Sequence, residues 1–383
     1  MANEENHHNN IVDNINSNSN SNNSNSSSSS SNNSNSTNGN TLYQPKSILI
    51  TGGAGFIGSH LAVHLSRLYS TYHLVVLDKL DYCSNIRNLS QVSSHKFYRG
   101  NILDAALLDR IFTSEAIDTV IHLAAHTHVD NSFHNSIIFT ENNVLGTHYL
   151  LECARRHSIQ RFIYVSTDEV YGSPEHQLRK GSVENKSMLL PTNPYAASKA
   201  AAEHLVQSYY KSFNLPSIIT RGNNVYGPHQ YPEKIIPKFI NLLLAGEQCT
   251  IHGNGQNMRS FLHVDDVVRA FDVVLHKGRV GETYNIGTEF EISNIDVAKT
   301  LVELITAGDT SQQQLHKYLS FVPDRPFNDQ SYFLNSNKVR QLGWCQQVAW
   351  REGLQRTVQW YKDNEHYWDQ ASDDNDRESQ QRV

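Results

Sequence analysis

The stretch Ser47-Ile48-Leu49-Ile50-Thr51-Gly52-Gly53-Ala54-Gly55-Phe56-Ile57-Gly58-Ser59-His60 decides the fold. Its apolar opening predicts a buried strand over Ser47–Thr51, and the amphipathic residues Ile57–Tyr69 predict a helix. Between them stand glycines 52, 55 and 58. The first permits a tight turn, the second lets backbone approach a pyrophosphate, and the third lets helix pack closely on strand. The phosphates then meet free N–H groups at the helix start. Glycine spacing alone is weak evidence, but here strand, turn, helix and next strand arrive in the order a dinucleotide site requires. That next strand, His73–Asp78, ends in a carboxylate twenty residues past Gly58. A carboxylate there accepts from adenosine ribose hydroxyls and repels a 2′-phosphate, so NAD is favoured over NADP, with Lys79 pulling the other way.

Outward from this stretch, strands are predicted over Lys96–Arg99, Thr119–His122, Arg161–Ser166 and Ser217–Arg221, and helices over Ala105–Phe112, Asn142–Arg156 and Pro194–Phe213. Such alternation gives an α/β fold, a Rossmann-type doubly wound parallel sheet. After Gly227-Pro228 the rhythm loosens: helices are predicted at Ile235–Ala245 and Val264–His276, and short strands at Gln248–Ile251 and Thr283–Ile286. They predict a smaller C-terminal α/β substrate-binding lobe over the crevice at the strands' carboxyl ends. Residues 3–40 are almost entirely Asn and Ser, too polar to offset the roughly 1–2 kcal/mol per residue lost on ordering backbone. The expected organisation is a disordered tail over 1–45, an NAD-binding domain with the catalytic residues over 46–228, and the lobe over 229–365, with the chain free to cross back to the sheet. A polar tail over 366–383 completes it.

With 38 acidic against 32 basic residues and a net charge of −6, the chain has no broad basic field for nucleic acid or an anionic membrane. No apolar run approaches the roughly 20 residues that span a bilayer, and the first residues lack secretory or mitochondrial features. The four cysteines, Cys83, Cys153, Cys249 and Cys345, lie far apart without zinc-site spacing and read as free thiols. A cytoplasmic location is expected.

Two motifs carry chemistry. Tyr195 and Lys199 stand four apart in Asn193-Pro194-Tyr195-Ala196-Ala197-Ser198-Lys199 and share one helix face. An ammonium beside a phenol, with an oxidised nicotinamide nearby, is expected to lower the phenol pKa from about 10 towards neutrality. Pro194 suits the first helical turn. Upstream, the strand ends in Ser166-Thr167-Asp168-Glu169-Val170-Tyr171-Gly172. Adjacent carboxyl groups push one pKa upward, so one can hold a proton while the other accepts one, as an elimination needs.

Together these motifs resemble the dTDP-glucose 4,6-dehydratases of the extended short-chain dehydrogenase family. The likeness runs from about Lys46 to Tyr361 and includes Leu77-Asp78-Lys79-Leu80-Asp81-Tyr82-Cys83, Thr127-His128-Val129-Asp130, Gly227-Pro228-His229-Gln230-Tyr231-Pro232-Glu233-Lys234 and Asp324-Arg325-Pro326. Segments around Arg221–Tyr226 and Arg325–Gln330 also resemble plant UDP-glucose 4,6-dehydratases. The resemblance implies a nucleotide-diphosphate sugar as substrate and NAD as cofactor. It implies that Tyr195 takes the 4-hydroxyl proton with Thr167 beside it, that Glu169 removes the C5 proton, and that Asp168 protonates the leaving 6-hydroxyl. It further implies that Phe56 and Ile57 line the diphosphate turn and Lys79 the adenosine end, with Ala124, Ala125 and Thr127 at the nicotinamide ribose and sugar. Asn224, Lys234, Arg259, Asn285 and Arg325 would hold the substrate's nucleotide diphosphate.

Two positions depart from the family pattern. Asn101, followed by Ile102 at the expected adenine contact, replaces the usual Asp, and Asn142 replaces a frequent Thr near the nicotinamide; both keep polar contacts available. His126 and His128 lack a third ligand and read as polar cleft packing, not a metal pair. The helices over 142–156 and 194–213 are long enough to pair across a homodimer axis. Competing readings are a 4-epimerase, which needs no acid–base pair at Asp168-Glu169, a UDP-glucuronate decarboxylase, which usually has Ser at 168, and a catalytically silent NAD-binding scaffold.

Overall fold

The computed structural model describes residues 42–172, 181–306, 311–324 and 333–369. Its first half runs β1 (Ser47–Thr51), α1 (Phe56–Leu68), β2 (His73–Asp78), β3 (Lys96–Arg99), α2 (Ala105–Ser114), β4 (Thr119–His122), α3 (Val129–His134), α4 (Ser136–Phe139), α5 (Gly146–Arg156), β5 (Arg161–Thr167), α6 (Pro194–Phe213) and β6 (Ser217–Gly222). The second half adds β7 (Asn224–Tyr226), α7 (Ile235–Leu244), β8 (Cys249–His252), β9 (Met258–His263), α8 (Val264–Lys277), β10 (Thr283–Ile286) and β11 (Glu291–Ser293). It ends with α9 (Asn294–Ile305), α10 (Gln312–Tyr318), β12 (Leu319–Val322), α11 (Asn337–Gln341) and α12 (Trp350–Asp363).

Seven parallel strands form one sheet in the order β10-β6-β5-β4-β1-β2-β3. A strand covered on both faces sends alternate residues to opposite layers. Ile48 and Ile50 pack with Leu61 and Leu65 of α1 and with Val267 and Phe271 of α8, while Leu49 packs with Leu108, Leu150 and Val206 of α2, α5 and α6. Strand order reverses between β1 and β4, which opens a crevice at their carboxyl ends. Behind it His122 ties the layers together: its Nδ1 pairs with Thr51 Oγ1 at 2.7 Å and its Nε2 with Thr147 Oγ1 at 2.9 Å. Burial pushes this imidazole down to about 3, so it is a neutral hydrogen-bonding post.

The chain after residue 228 divides between two cores. β8, β9, α7, α9 and α12 enclose a core of their own around Phe239, Ile240, Ile251, Leu301 and Leu354. However, β10 leaves that core and pairs in parallel with β6 at the edge of the main sheet, and α8 packs on α1. The physical reason is the face of α8, where Val264, Val267, Val268, Phe271, Val274 and Leu275 are all buried in the core layer of Ile48 and Ile50.

Tyr43, Pro45 and Tyr367, which fall inside the expected tails 1–45 and 366–383, are packed against the fold. The Tyr43 N–H donates to His276 O at 3.1 Å, the Arg161 guanidinium lies 4.0 Å from the Tyr43 ring centroid, and Pro45 is buried. At the other end Tyr367 Oη donates to Asn88 Oδ1 at 2.6 Å, with the Arg87 guanidinium 4.5 Å from its ring. Aromatic side chains supply apolar surface that an Asn/Ser stretch cannot. The remaining tail expectations, 1–41 and 370–383, lie outside the described residues.

Candidate active site

The crevice holds a cleft of about 780 Å³ lined by both halves of the chain, in the upper part of the roughly 300–1,000 Å³ range of small-molecule sites. At one end lies the glycine turn. Gly52 has φ +70° and a Cβ there would lie 2.7 Å from Ala124 N, so no larger residue fits. A Cβ on Gly55 would touch only Gly52 O, at 3.2 Å, and would otherwise stand in the cleft. Gly55 is the N-cap of α1 and offers no side chain to its free N–H groups, which leaves them for a phosphate. Phe56, Ile57, Gly58, Asn101, Ile102, Ala124, Ala125 and Asn142 line the same region. These residues fit a dinucleotide whose pyrophosphate rests on the turn.

Asp78 does more there than expected. Its Oδ2 accepts from Ala54 N at 3.0 Å and its Oδ1 from Leu80 N at 2.8 Å, and the Ser84 side chain also hydrogen-bonds it, so it braces the glycine turn. Burial raises its pKa and these bonds oppose the rise. Lys79 is held by Asp81 at 2.7 Å and His126 Nε2 at 3.2 Å. Asn101 Oδ1 already accepts Leu103 N at 3.0 Å, and Asn142 Nδ2 donates to Asn143 Oδ1 at 3.1 Å. His128 accepts Asn131 N at 3.3 Å as the N-cap of α3.

At the carboxyl end of β5 the chain turns into a single 3₁₀ turn, Asp168–Tyr171, capped by Thr167. Thr167 Oγ1 donates to Asp168 Oδ1 at 3.2 Å and accepts Glu169 N at 3.4 Å. Asp168 is 3% exposed; burial, and then the charge of Glu169, push its carboxyl up to about 7. Glu169 Oε2 accepts from Asn193 Nδ2 at 3.0 Å, and Asn193 Oδ1 caps α6 by accepting Ala196 N at 2.8 Å. One asparagine therefore sets both the helix that carries Tyr195 and the orientation of Glu169.

Tyr195 and Lys199 lie one helical turn apart on α6, both buried in the cleft wall. The expected lowering of the phenol is not what the protein alone provides. Burial and the charge of Glu169 hold Tyr195 above its ordinary value, against a hydrogen bond from Thr167. The Lys199 ammonium instead donates to Val165 O at 2.7 Å and lies 4.2 Å from the Tyr164 ring centroid. Burial pulls Lys199 down to about 7, opposed by Glu203.

From the other half come Asn224, Lys234 and Arg259, all lining the cleft. Lys234 Nζ reaches across it to donate to Thr127 O at 3.0 Å. Asn285 is not brought to the cleft. It is wholly buried, its Oδ1 accepts Tyr171 Oη at 2.8 Å and its Nδ2 donates to Ser182 O at 2.8 Å, so its amide is spent inside the fold. Arg325 lies outside the described residues. The sequence reading missed Asn193 and Asn223 beside the carboxyl groups. It also missed Thr250 and His252 on β8, which line the cleft. Their alternate spacing on a strand was the available signal.

Comparison with known proteins places the chain in a family. The family model described as GDP-mannose 4,6 dehydratase matches residues 49–357. The chain is 54% identical over 361 residues to dTDP-D-glucose 4,6-dehydratase of Dictyostelium discoideum, covering 84% of this chain and 83% of that protein. It is 53% identical over 334 residues to a trifunctional UDP-glucose 4,6-dehydratase/UDP-4-keto-6-deoxy-D-glucose 3,5-epimerase/UDP-4-keto-L-rhamnose-reductase of Arabidopsis thaliana, covering 86% of this chain but 49% of that protein. A crystal structure of dTDP-glucose 4,6-dehydratase from Streptomyces venezuelae with NAD bound superposes with a TM-score of 0.78 at 40% identity, over 84% of this chain and 98% of that one.

Proposed function

The chain belongs to the GDP-mannose 4,6-dehydratase family, and from that premise we propose that it is an NAD-dependent hydro-lyase converting dTDP-glucose to dTDP-4-dehydro-6-deoxyglucose. The observation that carries this reading is the carboxyl pair at the end of β5: Asp168 is buried and keeps its proton to about pH 7, beside Glu169. When bound, oxidised NAD supplies a hydride acceptor that is regenerated within each turnover and a positive charge beside the Tyr195 phenol. Tyr195 Oη takes the proton of the sugar 4-hydroxyl, with Thr167 beside it. The resulting 4-ketone acidifies C5, Glu169 removes the C5 proton, and Asp168 protonates the departing 6-hydroxyl, which leaves as water. General acid–base groups of this kind contribute about 10²- to 10⁴-fold each.

A cofactor end comprising Gly52, Gly55, Phe56, Ile57, Gly58, Asp78, Lys79, Asn101, Ile102, Ala124, Ala125, Asn142 and Lys199 fits this reading, with Thr127, Asn224, Lys234 and Arg259 at the nucleotide sugar. A second reading, the same reaction on UDP-glucose, is favoured by the similarity to the Arabidopsis protein, about half of whose length the chain spans. No described helix is long and apolar enough to cross a membrane. Unpaired cysteines support a cytoplasmic location, and exposed Tyr149 on α5 and Phe213 on α6, with Leu145 just before α5, support a homodimer.

The test incubates the protein and NAD separately with dTDP-glucose and UDP-glucose and follows the product by mass. Loss of one water from either, abolished by Tyr195→Phe, is the expected result. Binding of NAD without dehydration of either sugar sinks the proposal.

A further inference from the structure

We propose that Asn223, at the junction of β6 and β7, is a positioning residue for the acid of the elimination. Its amide holds one oxygen of Asp168, so that the transferable proton stays on the other oxygen, beside Thr167. The assignment rests on the reading of Asp168 given above and adds a residue that the sequence motifs did not single out.

The amide has one possible orientation. Asn223 is 5% exposed, and its Oδ1 accepts the backbone N–H of Thr288 at 3.1 Å. An oxygen opposite an N–H donor cannot exchange places with the NH₂ group without setting two donors face to face. Nδ2 is therefore fixed as the group that meets Asp168, and it donates to Asp168 Oδ2 at 2.6 Å. The backbone is pinned as well, since the Asn223 N–H donates to Ile286 O at 3.2 Å. The turn after β10 is shaped to the amide: a Cβ on Gly287 would lie 2.3 Å from Asn223 Oδ1.

The Asn223 NH₂ group can only donate to Oδ2, whereas the Thr167 hydroxyl, 3.2 Å from Oδ1, can rotate to accept, so in the protonated acid the proton sits on Oδ1. In the elimination Glu169 takes the C5 proton, the C5–H pair forms the C5–C6 double bond, the C6–O bond breaks, and the departing hydroxyl takes the Oδ1 proton to leave as water. Asp168 is then a carboxylate, and the Asn223 bond becomes charge-assisted. The amide thus favours the product of proton transfer as well as its geometry. The charged and titratable groups around Asp168 are Glu169 beside it, Tyr195 from α6 and Arg259 from β9; none of them fixes the position of its proton.

The test uses full-length protein with NAD and the sugar nucleotide that wild type dehydrates, comparing wild type, Asn223→Leu and Asp168→Asn with the double variant. Two signals are followed: appearance of reduced cofactor, which reports oxidation at C4, and formation of the dehydrated product. Asn223→Leu is expected to oxidise substrate within about threefold of wild type while forming product about 10- to 100-fold more slowly, because only the acid step is touched. A lost hydrogen bond to a charged group also moves the alkaline limb of product formation up by about one to two pH units. In the Asp168→Asn background the same substitution changes the residual rate by less than about twofold. If Asn223→Leu does not fold, Asn223→Ser is measured in its place.

Equal slowing of oxidation and elimination, an unmoved alkaline limb, or additive effects with Asp168→Asn would make Asn223 a structural residue and overturn the assignment. A wild type that forms no dehydrated product from any sugar nucleotide instead overturns the reading of the site, and the assignment with it.

Discussion

Asp168, 3% exposed and beside Glu169, titrates near 7, whereas a carboxyl in the unfolded chain titrates near 4. A folded value above the unfolded one means that the favourable contribution is complete at low pH and is lost as pH rises towards 7. At pH 8 the folded protein therefore carries a buried carboxylate at a cost of up to about 4 kcal/mol, from roughly 1.4 kcal/mol per unit. Asp168→Asn is accordingly expected to raise Tm at pH 8, to leave it nearly unchanged at pH 4, and to slow elimination to a small residual rate; thermal melts at the two pH values check the sign, and equal melts would refute it. In wild type, product formation should fall as pH climbs past about 7. The identities of these groups were legible because Thr167-Asp168-Glu169 and Tyr195–Lys199 are contiguous or share a helix face. Their settings were not legible. The position of the Lys199 ammonium depends on Val165 O, and the orientation of Asp168 on Asn223, partners that reach the site only through the fold. Asn285 illustrates the opposite error: a strand reading fixes that a side chain alternates, but not that this one turns towards Tyr171 and Ser182.

Elements were more legible than settings. β1 to β4 and β10 occupy the residues predicted from their apolar or β-branched runs, and α6 runs from Pro194, with its Asn193 cap, to Phe213. The lobe's short strands β7, β9 and β11 were missed because each owes its pairing to a partner distant in sequence. The helix predicted from Asn142 begins instead with a π-turn over Thr140–Leu145 before α5, a hydrogen-bond shift that hydrophobic spacing does not encode. The junction of β1 and α1 is tight. A Cβ on Gly58 would lie 2.3 Å from Gly52 O and 2.8 Å from Gly53 Cα, and both are backbone atoms that no side-chain rotation can move. Gly58→Ala must push α1 off the turn, at or above the 1–3 kcal/mol typical of overpacking, taken as about 3 kcal/mol here. The expected outcome is a lowered Tm together with loss of the Tm increase that NAD gives wild type; an unchanged NAD-dependent shift would show that α1 does not set the phosphate site.

At the scale of the molecule, the two halves cannot be separated at the sequence boundary near 228, because the chain returns. β10 supplies the edge partner of β6, and α8 covers the face of the sheet shared with α1. Six apolar side chains of α8, Val264, Val267, Val268, Phe271, Val274 and Leu275, are each no more than 4% exposed. Burying such side chains is worth about 1.5–3 kcal/mol each, so their removal forfeits roughly 9–18 kcal/mol, comparable to the roughly 5–15 kcal/mol that holds a whole domain folded. A chain comprising residues 42–228 is therefore expected to lack a cooperative thermal transition, to bind a hydrophobic dye strongly and to show no NAD-dependent stabilisation, even though it retains the glycine turn, Asp78, the carboxyl pair and Tyr195. A cooperative transition with NAD-dependent stabilisation in that fragment would show that the sheet closes without α8 and β10. The same return path explains why the cleft can be lined from both halves. β6 runs directly into Asn223 and β7, and β10 ends at the turn that orients the Asn223 amide on Asp168. The strand that completes the sheet is thus also the one that positions the acid, and damage to the β10 edge should weaken stability and elimination together.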